Sequence, residues 1–124
     1  MNYNFIMKNF RRTKREVEAF LEQFKSKLDV WGIYFIERGK NDNTLSQLGI
    51  TRAFREEVVR QIKVEDYVET ICDDQTLGEL WVFGKQVNGS EIYIKVALGR
   101  FGSRTICVSF HIAEYPMEYV FRNK

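Results

Sequence analysis

The chain is poor in the residues that build metal centres, disulfide frameworks and linkers. Its 124 residues hold one histidine, one proline and two cysteines. Two thiols without framework spacing do not staple a secreted fold, so Cys72 and Cys107 read as reduced cysteines of a cytosolic protein. Two cysteines and one histidine do not make a zinc site, and no cofactor is implied. There is no run of ~18 apolar residues, so no transmembrane helix and no membrane partner is expected. Met1 to Lys8 carries no apolar h-region, so no signal peptide is expected and the expected location is cytoplasmic. Repeats, linkers and low-complexity tracts are lacking as well.

What the chain does have is aromatic bulk: ten Phe, six Tyr and two Trp. That amount of large apolar surface excludes a disordered class and suits one folded domain over residues 1–124. Net charge is only +2, but it is unevenly spread. Residues 1–60 and 81–124 are basic, and residues 61–80 carry six carboxylates against one lysine. Such a pattern is compatible with an anionic ligand, although a charge run is more often a solvated face. The carboxylates Asp66, Glu69, Asp73 and Asp74 fit no calcium-loop spacing.

Residues 1–12 read as a loose N-terminal arm. Thr13 with Glu16 fits a capping box, followed by Val17, Phe20, Leu21, Phe24 and Leu28 at helical spacing. Val30 to Glu37 reads as a strand with Ile33 and Phe35 on one face, and residues 37–43 as a polar loop. Thr44 with Gln47 repeats the capping-box pattern for a short helix ending near Gly49. Thr51 is expected to cap a third helix that buries Phe54, Val58 and Ile62. Asp66 to Cys72 reads as a strand, Asp73 to Gly78 as a loop, and Met117 to Phe121, after Pro116, as a terminal strand.

Asn88-Gly89 between two alternating runs predicts a two-residue hairpin, because a type I′ turn needs φ > 0 at both central positions. The turn pairs Val87 with Ser90, Phe83 with Ile94, Trp81 with Val96, Gly84 with Tyr93 and Val82 with Lys95. One face then carries Trp81, Phe83, Ile92, Ile94 and Val96 as core. The other carries Val82, Gly84, Tyr93, Lys95 and Ala97. Lys85 lands on the core side and needs a place at the rim. The next strand, Arg104 to His111, alternates Ile106, Val108 and Phe110 with Cys107, Ser109 and His111. A three-residue loop 101–103 sets Tyr93 opposite His111 and Lys95 opposite Ser109. A five-residue loop leaves His111 diagonal to Tyr93.

The result is an α+β layer, with N-terminal helices packed on one face of an antiparallel β-meander and the opposite face open. Tyr93, Lys95 and His111 share that open face. A phenol, an ammonium and an imidazole are what metal-free cleavage of an RNA phosphodiester needs. The 2′-OH is the nucleophile, an imidazole serves as base or acid near neutral pH, and a cation stabilises the phosphorane. Arg104 is a candidate for RNA-phosphate binding. Each residue has a plainer reading as a polar surface position, which applies most often to a lone histidine at a strand end. Cys107 and Ser109 are expected on the same face, but no third group orients a Cys–His pair.

In this light the chain resembles the MqsR-type toxin family of bacterial type II toxin–antitoxin systems, which has a RelE-like fold. The matching segments are Thr44-Leu-Ser-Gln-Leu-Gly-Ile-Thr51, Val64-Glu-Asp-Tyr67, Trp81, Ile92-Tyr-Ile-Lys-Val96 and Val108-Ser-Phe110. Their order and spacing carry the resemblance across most of the chain. It implies a metal-independent endoribonuclease cleaving single-stranded messenger RNA, held inactive by a cognate antitoxin. Tyr93 and Lys95 match the family's strand tyrosine and lysine, and His111 stands where the family has a lysine after Ser-Phe. A further family lysine is absent, Val68 or Glu69 standing in its place, and Val82 replaces a glutamine. Those two departures favour the rival expectation, a non-catalytic protein- or nucleic-acid-binding module or regulator on the same fold.

Overall fold

The structure is a computed structural model and describes residues 8–73 and 78–122. Strand β1 (Lys8–Phe10) leads into helix α1 (Lys14–Trp31) and strand β2 (Ile33–Phe35). Helices α2 (Thr44–Leu48) and α3 (Arg52–Arg60) follow. The chain continues through β3 (Tyr67–Asp73), β4 (Gly78–Val87), β5 (Ser90–Ala97) and β6 (Thr105–Ile112). The six strands form an open sheet in the order β1-β3-β4-β5-β6-β2. Every pairing is antiparallel except β2 with β6, which run parallel. The fold is therefore α+β with a mostly antiparallel sheet.

Helix α1 starts at the expected capping box, Thr13 and Glu16 each satisfying the other's backbone donor. It stops at Gly32, whose φ of 82° a side chain would resist. Its stripe of Val17, Phe20, Leu21, Phe24 and Leu28 joins Trp81, Phe83, Ile92, Ile94 and Val96 in one buried cluster. Phe20 stacks on Trp81 with ring centroids 4.1 Å apart. Burying each such side chain stabilises the fold by about 1.5–3 kcal/mol.

Several local expectations need correction. Thr44 is not a cap: Asn43 takes that position, and the Thr44 hydroxyl donates to the Lys40 carbonyl at 3.1 Å. Thr51 does cap α3, but Phe54 is exposed. The buried face instead follows Arg55, Val58, Val59 and Ile62, an i, i+3, i+4, i+7 stripe that misses position 54. Arg55 is tolerated there because its two terminal guanidinium nitrogens reach Glu37, at 3.1 and 2.9 Å, over the Phe35 ring. The strand expected from Val30 is only Ile33–Phe35, since Val30 and Trp31 close the last turn of α1. The loose arm does not extend over residues 8–12. Lys8–Phe10 pairs with β3, and the Arg12 N–H donates to the Tyr67 hydroxyl. Residues 1–7 of that arm, and 74–77 of the expected loop, lie outside the described residues.

The β4–β5 register follows the hairpin expectation pair by pair, with φ of 50° at Asn88 and 83° at Gly89. Lys85 finds its rim position by pairing with Asp66 at 2.9 Å. The β6 strand departs from simple alternation. Tyr93 is opposite His111 and Lys95 opposite Ser109, but Val96 is opposite Cys107, so the register shifts by one between those pairs. An extra residue on one strand resets which side each neighbour faces. Cys107 is therefore core, while Ile106 and Val108 lie on the other face, the reverse of the expected assignment.

The terminal segment is not a strand. Met117 and Tyr119 lie across the second sheet face against the cluster of Val68, Ile71, Leu80, Val82 and Ala97. Phe121 turns under to stack on Tyr67. The face expected to be open is thus half covered, and what remains uncovered is a groove.

Candidate functional site

Strands β5 and β6 supply the floor of that groove. Tyr93 and His111 are direct cross-strand partners, and their rings lie nearly parallel at 10° with centroids 5.2 Å apart. Lys95 stands two positions along β5, its ammonium 5.9 Å from the Tyr93 ring centroid. All three line one open groove of about 820 Å³. The structure therefore brings together the three residues that strand periodicity assigned to one face. Arg104, the candidate for phosphate binding, stands apart from the trio. It lines a separate cavity beside Trp31 and Tyr34, because it precedes β6, seven strand positions or about 23 Å from His111.

The walls come from segments outside these two strands. On one side the turn Gly39–Asn41 brings Arg38, Lys40 and Asn41 to the rim. On the other, Arg11, Glu69 and residues 115–118 rise above the floor. Arg11 pairs with Glu118 at 3.2 Å and Lys40 with Glu114 at 2.6 Å. Arg38 is exposed and makes no ion pair among the described residues. Asn41 fastens the turn to β2 and β6 through its side-chain amide. The sequence signal for it was slight, an asparagine in a polar run beside glycine.

Electrostatics bear on Tyr93, and a hydrogen bond on His111. Partial burial, and then the nearby Glu69 carboxylate, push the Tyr93 phenol up, so it is a neutral donor at neutral pH. His111 Nδ1 lies 3.0 Å from the Ile112 carbonyl oxygen. A carbonyl only accepts, so Nδ1 carries the proton in that contact and Nε2 keeps a lone pair for another proton. The Lys40 hydrogen bond holds the Glu114 carboxyl below the usual range, with a smaller contribution from nearby His111. Cys107, expected on the same face as His111, is fully in the core, and burial pushes its thiol up to about 12. It is no nucleophile at neutral pH.

The segment that covers the rest of the face is anchored by one carboxylate. Glu91 accepts from the Tyr119 hydroxyl at 2.6 Å and from the Met117 N–H at 3.2 Å. Burial and that carboxylate push the Tyr119 phenol up. Gly84, directly opposite Tyr93, lies beneath this segment, and a Cβ there would collide with the Tyr119 hydroxyl.

Among the described residues no three His, Cys, Asp or Glu side chains gather to hold a metal ion, and no helix is long and apolar enough to cross a membrane. Comparison of the chain with protein-family models, with curated proteins and with solved structures gives no match.

Proposed function

We propose that the groove binds single-stranded RNA and cleaves it without a metal, as the endoribonuclease toxin of a toxin–antitoxin pair on a RelE-like fold. The observation that supports this reading is the placing of Tyr93, Lys95 and His111 side by side on the floor of a groove rimmed by Arg11, Arg38 and Lys40. The toxin role and the antitoxin partner draw on the MqsR-type resemblance.

In the reaction, His111 Nε2 takes the 2′-OH proton as that oxygen attacks phosphorus. Lys95 stabilises the charge that builds on the phosphoryl oxygens. The P–O5′ bond breaks, and the leaving oxygen takes the proton of the Tyr93 hydroxyl. The imidazolium's proton returns to Tyr93 through solvent. The products are a 2′,3′-cyclic phosphate and a 5′-hydroxyl.

The test is cleavage of a defined single-stranded RNA by the purified protein in EDTA, with His111→Ala alongside. The expected outcome is those two end groups, with a rate at least about tenfold lower in the folded variant. Equal rates would remove His111 from the reaction. Val82 and the Val68-Glu69 pair, which stand where the family has glutamine and lysine, favour the rival reading of a module that binds without cutting. RNA binding by the parent without cleavage would decide for it.

A further inference from the structure

The groove is not the last cavity on this sheet face. The bulge in β6 places Ile106 on the same side as Lys95 and Ser109, since its partner Ala97 belongs to the second-face cluster. Tyr34 of β2 pairs with Ile106 and so shares that side. Ile36, two residues on, lines the groove. The face therefore runs on without interruption from His111 to a second cavity of about 650 Å³.

The composition of this second cavity is unlike that of the groove. Trp31, Tyr34, Arg100 and Arg104 line it, and among the described residues no carboxylate does. Trp31 is 49% exposed and Tyr34 50%. Arg104 lies over the Tyr34 ring at 5.3 Å, and neither arginine forms an ion pair among the described residues. Single exposed aromatics are ordinary on a protein surface. Two open rings with two unneutralised guanidinium groups around one cavity make the pair of contacts single-stranded nucleic acid requires. Bases stack on the rings and phosphates meet the cations. The run of β6 from His111 to Arg104 is about 23 Å. That is about seven nucleotides if they stack at ~3.4 Å each, and fewer if the strand is extended.

We infer that the Trp31–Tyr34–Arg100–Arg104 cavity is a second subsite for the same RNA strand, which stacks unpaired bases and binds phosphates away from the scissile bond. This rests on the reading of the groove as an RNA site. The subsite holds the strand without touching the reacting atoms, so it governs affinity for long RNA and leaves the bond-breaking step alone.

The experiment measures binding of fluorescent 2′-O-methyl RNAs, which lack the nucleophile, and cleavage of their unmodified counterparts. Oligonucleotides of about three and about fifteen nucleotides are compared, shorter and longer than the span above. The proteins are the parent, Tyr34→Ala and Arg104→Glu. Each variant is expected to bind the long RNA about fivefold or more weakly. Affinity for the short RNA, and the cleavage rate at saturation, should stay as in the parent. Trp31 fluorescence should be quenched by the long RNA only, Trp81 being buried. Unchanged long-RNA binding in both variants, with the parent binding and cutting normally, overturns the subsite and leaves the aromatics as a protein-docking face. A parent that binds no RNA of either length brings down the reading of the groove, and the subsite with it.

Discussion

The side-chain oxygen of Asn41 accepts the Phe110 N–H at 3.0 Å, fixing the β6 backbone one residue before His111. The same amide donates to the carbonyls of Val108 and Ile36, at 3.0 and 2.7 Å. These bonds satisfy backbone groups just beyond the point where the pairing of β2 with β6 stops, at Phe35 and Cys107. Asn41→Ala would leave three backbone groups without this partner, at a cost of about 1–3 kcal/mol. Urea unfolding should show the loss, and RNA cleavage should fall with it as His111 loses its fixed position. An unchanged midpoint would mean that β6 holds without Asn41.

Tyr93→Phe separates the ring from its hydroxyl. The ring stack on His111 survives, so the folded protein should melt as the parent does. Cleavage should drop by about tenfold or more if the phenol supplies the leaving-group proton. A variant that cuts at the parent rate confines Tyr93 to packing.

Gly84→Ala tests the covering segment. The new methyl would meet the Tyr119 hydroxyl and lie 2.9 Å from Met117 Sδ. Overpacking of this kind costs typically about 1–3 kcal/mol. The segment is expected to lift, so limited proteolysis should cut within residues 113–122 faster than in the parent. Equal digestion and equal urea midpoints would show that the segment gives way without loss.

The buried thiol predicts how stability responds to alkali. Cys107 is raised from its ordinary 9.0 to about 12 by burial. The folded state therefore keeps its proton after the unfolded chain has lost it. The thiol's contribution is full below pH 9 and falls as pH rises toward 12. By pH 10 the loss is on the order of 1 kcal/mol. Cys107→Ala is less stable at every pH through its cavity, but its stability should fall less between pH 8 and pH 10 than the parent's. Parallel decline in the two proteins would place the alkaline sensitivity elsewhere.

The trio was legible because two local signals fix it. Asn88-Gly89 sets the β4–β5 pairing, and the apolar pattern of β5 and β6 sets which side Tyr93, Lys95 and His111 face. Val108 was not legible, since an extra residue in β6 shows only when both neighbours are in place. That one residue sent Cys107 inward and Ile106 outward. Met117, Tyr119 and Phe121 alternate as a strand would, and only the vacant space over Gly84 shows why they lie across the sheet instead. The rim cations Arg38 and Lys40 came from a stretch read as plain loop. The parallel pairing of β2 with β6, and the pairing of β1 with β3, depend on tertiary packing that no local pattern encodes.

Thr105 donates to the carbonyl of Gly32 across 73 residues of chain, at the point where β2 meets β6. A ribosome adding about 5–20 residues per second needs roughly four to fifteen seconds to cover that interval. Helix α1 and the β4–β5 hairpin are synthesised before β6 has left the exit tunnel. Until it does, Tyr93 has no histidine beside it and the groove has no floor. A growing chain therefore carries no assembled trio until β6 has joined β5.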